Sequence, residues 1–168
     1  HYDANYEEDG QANDPDGYDI MANGADYNYG LSPVGYNAFE RYMLEFADDH
    51  PLDVAGNYEL EPFNESNQFF RIMTGAKGED FFIENRQQRG WDRYLPGHGL
   101  LAWRADTSNP TIWTGNSVNN KADHMYFELL SAQPGKAIST AYTPFPGTSN
   151  AKDLTATTTP ALRSWAGM

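Results

Sequence analysis

The chain has 168 residues, 39% of them hydrophobic and 14% aromatic, enough for one domain that buries roughly 70% of the surface its unfolded chain exposes. Its 24 acidic against 11 basic side chains give a net charge of −13, which repels phosphate backbones and anionic membrane surfaces, so no nucleic-acid partner is expected. No run approaches the roughly 18 apolar residues of a spanning helix, so no membrane insertion is expected; zero cysteines leave only oxygen or imidazole to hold a metal.

Residues 1–40 carry nine acids and no Lys or Arg. The chain opens at His1 without an initiator methionine, a charged n-region or an apolar h-region, and reads as a processed or excised piece of something longer. Residues 1–31 form an acidic, Gly/Asn/Asp-rich loop with too few apolar side chains to fold alone. Within it Glu7, Glu8, Asp9, Asp14, Asp16 and Asp19, with backbone carbonyls, suit the roughly six to eight oxygens that calcium takes. The Asp14-Pro15-Asp16-Gly17 spacing is not that of an EF-hand, and Asp and Asn also serve simply as turn formers.

Ser32-Pro33 reads as a helix start, and Val34, Ala38, Phe39, Tyr42, Met43 and Phe46 follow at three- and four-residue spacing. A helix is predicted over Pro33–Ala47, inside a segment spanning 32–50 that Asp48-Asp49-His50-Pro51 closes. From 51 to 131 the pattern changes to aromatic and β-branched runs: Tyr58–Phe63, Phe69–Thr74, Asp80–Asn85, Gly99–Ala105 and His124–Leu130 are predicted strands. Gly75-Ala76-Lys77-Gly78 suits a tight hairpin. Phe81-Phe82-Ile83 and Leu100-Leu101-Ala102-Trp103 are apolar on both faces, which predicts an interior sheet. Residues 132–168 read as extended Thr/Ser/Pro-containing chain that either wraps the core or leads to a following module. The fold class expected is α+β and β-rich, a single or partial domain over 1–168, with the acidic loop and helix ahead of a mainly antiparallel sheet.

The sequence carries no nucleotide-binding glycine fingerprint, no phosphate loop and no Gly-x-Ser-x-Gly elbow. His1, His50, His98 and His124 lie far apart without the i, i+4 spacing of a helical zinc pair. Asp106, Asn109, Asn116 and Asn119 form a second, weaker oxygen-rich patch. Glu84 and Arg86 are two residues apart on one strand face, so they are expected in a buried or cleft-side hydrogen-bond network.

Gly17-Tyr18-Asp19-Ile20-Met21-Ala22-Asn23-Gly24 resembles an aromatic-Asp-x-Met-x-x-Gly turn. With Ser32-Pro33, Gly56-Asn57-Tyr58-Glu59-Leu60, Phe81-Phe82-Ile83-Glu84-Asn85-Arg86-Gln87, Gly90-Trp91-Asp92, Leu95-Pro96-Gly97-x-Gly99-Leu100-Leu101-x-Trp103, Asn116-x-Val118-Asn119 and Pro144-Phe145-Pro146-Gly147-Thr148, nearly the whole chain is similar to the immune inhibitor A-like family of secreted bacterial zinc metalloproteases. The resemblance implies a secreted zinc metalloendopeptidase that acts on peptide or protein substrates. The family's His-Glu-x-x-His-x-x-Gly-x-x-Asp motif lies just upstream of a Tyr-Asp pair; Tyr2-Asp3 occupies that pair's place, and the motif itself is missing. This chain would then be the part of a catalytic domain that follows the zinc motif. Its zinc ligands and general base would lie in an upstream segment of the same protein, and the isolated chain would be inactive. His98 and Arg104 stand where the family more often has a small residue and a histidine.

By the same resemblance Met21 is the methionine turn, an apolar floor beneath the metal ligands. Tyr18, Glu84, Arg86, Trp91 and Trp103 are candidates for lining or supporting the cleft. The alternatives are a non-enzymatic β-rich extracellular binding module, stabilised by calcium, and a degenerate protease homologue retained for binding.

Overall fold

The computed structural model describes residues 15–136, 138 and 140–167. The expectations for His1, Glu7, Glu8, Asp9 and Asp14 lie outside them. Four antiparallel strands, β1 (Phe69–Met73), β2 (Glu79–Arg86), β3 (Gly99–Asp106) and β4 (Phe127–Leu130), form one sheet in sequence order. With a few short helices this is the small α+β, β-rich fold that the patterning predicts. Gly75 and Gly78, both at positive φ, turn β1 into β2. Gly78 has a second reason to lack a side chain, since a Cβ there would meet the Ser108 backbone at 2.8 Å.

The register pairs Phe82 with Trp103 and Trp103 with Leu129, while their neighbours Ile83, Ala102 and Leu130 pair on the opposite side. Both faces are therefore apolar and both must be covered. On the first face, Phe69, Phe82, Leu101, Trp103, Phe127 and Leu129 pack under elements from the N-terminal half: Tyr18, Val34, Phe39 of helix α1 (Ala38–Met43) and Phe63 of helix α2 (Phe63–Ser66). On the second, Phe81, Ala102 and Leu130 pack under the C-terminal segment through Phe145, Leu154 and Leu162. Leu100 and Phe145 exchange backbone hydrogen bonds of 2.8 Å in each direction, so of the two courses open to residues 132–168, the described part takes the one that lies on the core.

The helix expected over Pro33–Ala47 is shorter and starts later. Asn37 accepts the Glu40 N–H at 2.9 Å and donates its own backbone N–H to Glu40 at 3.0 Å, a reciprocal cap that Ser32-Pro33 does not form. Residues 32–37 run on in non-helical chain, with the Val34 N–H on the Gly24 carbonyl. The strand expected over Tyr58–Phe63 does not form. Pro62 cannot donate to a ladder, makes an isolated bridge to Asn85 and opens α2. The last strand begins at Phe127 rather than at His124, and helix α3 (Pro110–Thr114), capped by Asn109, was not expected.

Candidate functional site

Strand alternation puts Glu84 and Arg86 on the first face with Phe82, at the end of β2 where α1, α2 and a 3-10 turn over Gly90–Tyr94 converge. Both side chains are fully buried. Arg86 grips Asp92 with two parallel bonds, Nε to Oδ2 and Nη2 to Oδ1, each 2.6 Å, and reaches Glu84 Oε1 through Nη1 at 3.2 Å. The same guanidinium donates to the Gly35 carbonyl at 3.3 Å. Trp103 Nε1 donates to Glu84 Oε1 at 2.9 Å, while Glu84 Oε2 has no hydrogen-bond partner among the described residues. Asn64 of α2 closes the assembly by donating to Asp92 and accepting from Arg41, whose guanidinium lies 4.1 Å above the Phe63 ring.

A second buried carboxylate stands behind the turn that carries Met21. Asp19 Oδ1 accepts the Met21 N–H at 2.6 Å and Oδ2 accepts from the Asn37 side chain, so the residue that caps α1 also anchors the turn. The Asp19 carbonyl takes the N–H groups of Ala22 and Gly24, at 3.2 and 2.9 Å. Gly24 is sterically required, because a Cβ there would sit 2.5 Å from Val34 and 2.6 Å from the Asp19 carbonyl oxygen. Asp19 and Gly24 of the Asp-x-Met-x-x-Gly order thus each have a physical task, and the turn holds Met21 with 41% of its surface exposed.

Burial pushes the Asp19 and Glu40 carboxyls well above the usual carboxylate range, and each negative group raises its neighbours further while Arg86 pulls them back. Glu84 moves in the same direction for the same first reason, against the opposing pull of Arg86 and Trp103. Arg86 itself loses by burial but is pushed up further by Glu84 and Asp92, and stays charged. Burial also raises the Tyr18 hydroxyl, which donates to the Thr140 carbonyl at 2.8 Å.

Of the other candidates, Trp103 is fully buried and stacks on Phe127 at 5.2 Å, a supporting rather than a lining position. Trp91 is 62% exposed and borders a hollow of about 120 Å³ with Pro62, Asn64 and Gln87. A larger groove of about 580 Å³ adjoins it, sharing Gln87 and running past Gln88, His98 and Thr148. Asp16 and Asp19, the two described members of the calcium set, accept from Asn23 and from Met21 and Asn37 respectively. The Asp106 patch is divided among local tasks: Asp106 holds Ser108 and His124, Asn109 caps α3, and buried Asn119 accepts the Phe127 N–H. Among the described residues no group of three or more His, Asp or Glu side chains is placed to hold a metal ion.

Sequence reading missed Asn37, Glu40, Asn64 and Asp92. The Asn-x-x-Glu cap signature at Asn37 and Glu40 was available, but nothing local marks Asp92 as the partner of Arg86, or Asn64 as the residue that joins Asp92 to Arg41. No family model, curated protein or solved structure matches this chain.

Proposed function

We propose that this chain is the part of a secreted zinc metalloendopeptidase catalytic domain that follows the zinc motif, and that it forms the floor and one wall of the peptide-binding cleft. The observation that carries this reading is the Met21 turn. A buried aspartate and a sterically required glycine lock the backbone on either side of Met21, yet the methionine side chain is left partly bare. So much restraint around an exposed apolar residue suits a surface against which other groups are positioned by packing. In this reading the zinc ligands belong to an upstream segment of the same protein; among the described residues no three His, Asp or Glu side chains are grouped to hold the ion. The Arg86 assembly would hold the wall behind the turn, and the groove past Gln87 offers a neutral track for an extended peptide.

The test is to express the encoded polypeptide with its upstream sequence, measure bound zinc, and assay casein hydrolysis beside the 168-residue chain. Zinc-dependent hydrolysis by the longer form alone is expected. Absence of both zinc and hydrolysis in the longer form would sink the proposal. The second reading, an extracellular binding module, draws on Trp91 standing exposed at the lip of a hollow, and gains if the longer form is inactive while W91A abolishes binding to a carbohydrate or protein.

A further inference from the structure

Two carboxyls of the first face, Asp19 and Glu40, are buried without forming an ion pair among the described residues. The fully buried guanidinium, Arg86, directs two bonds to Asp92 and one to Glu84. Arg41, at the margin, binds the Tyr36 carbonyl and the side-chain oxygens of Asn64 and Asn67. Neutral donors serve the remaining pair. Asp19 accepts the Met21 N–H and the Asn37 side-chain amide, and Glu40 Oε2 accepts the Asn37 backbone N–H at 3.0 Å. Asn37 thus ties the two carboxyls together, while its Oδ1 takes the Glu40 N–H at 2.9 Å.

The charges facing this pair come from every element around it. Glu84 of β2 repels both carboxyls, Asp19 repels Glu40, and Arg86 attracts both although its bonds go to other carboxylates. Asp92 of the turn over Gly90–Tyr94 and Arg41 of α1 complete the set, and Tyr18 stays neutral beside Asp19. Four carboxyls therefore stand against two guanidiniums, and ionising all four would leave surplus negative charge in a site with little access to water. A proton on one member of the pair relieves this, as in other carboxyl pairs that share a site. Both Asp19 oxygens accept hydrogen bonds, whereas Glu40 Oε1 accepts from none of the described residues, so a proton there costs no bond. Burial and the charge of Asp19 both hold the Glu40 carboxyl above the ordinary carboxylate range. Its 6% exposure gives that proton a way out to solvent.

We propose that Asp19, Asn37 and Glu40 form a proton-held latch: a proton on the Glu40 carboxyl keeps the Met21 turn fastened to the start of α1, and its loss to solvent at alkaline pH releases the two together. The closed form holds a proton that the opened form gives up, so closure is favoured at lower pH and weakens as pH climbs through the range where Glu40 ionises. The strands, paired through their own ladders, stay in place when the latch opens. The surface that Met21 presents is then firm in acid and yields in alkali. The latch does not rest on the protease reading.

The experiment follows the full chain by NMR from about pH 5.5 to about pH 9, reading amide hydrogen exchange, corrected for its intrinsic base catalysis, and the carboxyl carbon shift of Glu40. Protection at the Met21, Asn37 and Glu40 amides should fall together, by up to about ten-fold per pH unit, the linkage of one proton. Phe82 and Trp103 in the paired strands should stay protected, and the Glu40 carboxyl should titrate over the interval in which the three amides open. E40Q keeps an acceptor for the Asn37 N–H and cannot ionise, so the three amides should remain protected throughout. A flat profile in the parent chain, a fall shared by the strands, or an unchanged slope in E40Q would overturn the proposal. The carboxyl titration needs no variant, and a Glu40 that ionises in the ordinary carboxylate range overturns it alone.

Discussion

The two faces of the sheet are covered by different physical means. The first buries a set of ionisable groups: Glu84, Arg86, Asp92, Asp19 and Glu40 sit among Phe39, Phe63, Phe82 and Trp103, and are held by bonds from the Met21 turn, from Gly35 and Asn37, from Asn64 and from Trp103. The second is largely a matter of small apolar contacts, Phe81, Ala102 and Leu130 under Phe145, Leu154 and Leu162, with polar fastening at its margin by Arg104, Glu128 and Glu79. Buried ion pairs add little net stability compared with well-packed apolar groups but are costly to disrupt singly. Apolar cover is forgiving in its details and scales with area. The first face should therefore respond to mutation as one unit, and the second in proportion to what is removed.

The largest effect is expected for R86A, which leaves Asp92 and Glu84 buried without a counter-charge and should cost about 3–5 kcal/mol. In thermal unfolding that is a drop of roughly 10 °C or more, and a loss below 1 kcal/mol would refute the unit behaviour. F145A on the second face should cost about 3 kcal/mol and act locally. Limited proteolysis should then cut the segment after Pro146 while the region before β1 stays protected; simultaneous exposure of both would erase the distinction between the faces.

Protonation separates particular residues on the two faces. Asp19 on the first face has its carboxyl raised, so the native state holds that proton longer than the unfolded chain does. Stability is then lost as pH climbs from the ordinary carboxylate range toward neutrality and beyond, by on the order of 1–3 kcal/mol, and D19N should flatten that slope in urea titrations. Asp106, whose strand edge meets the second cover, is held below its usual range. Its contribution is present above that range and disappears as pH falls through the depressed value, so D106N should remove part of the acid limb only. The smallest change is expected for M21A, within about 0.5 kcal/mol in the 168-residue chain because the side chain is partly exposed. In the longer, zinc-loaded form the same substitution should lower casein hydrolysis, and an unchanged rate there would count against the role proposed for the turn.

The sheet is legible because aromatic and β-branched runs, apolar on both faces, fill Phe69–Met73, Glu79–Arg86 and Gly99–Asp106, and because glycines mark the hairpin. The helix start was misread because Ser32-Pro33 outranks Asn37 on local preference, while the tertiary anchor from Asp19 to Asn37 and the bond from Glu40 decide in favour of the later cap. Pro62 is a local signal against the strand expected from the aromatic run Tyr58–Phe63. Within the candidate site, Glu84 and Arg86 were visible as neighbours on one face, and Asp19 as part of a turn. That Asp92 would meet Arg86, and Asp19 would meet Asn37, depends on chain crossings that spacing along the sequence does not encode.

The convergence on Arg86 also bears on how the chain can change over generations. Any single replacement at Arg86, Glu84 or Asp92 strands its partners, whereas a concerted exchange of all three for apolar side chains of similar bulk meets no such barrier. These positions should drift as a linked set, and descendants are expected either to keep the trio whole or to have discarded it entirely.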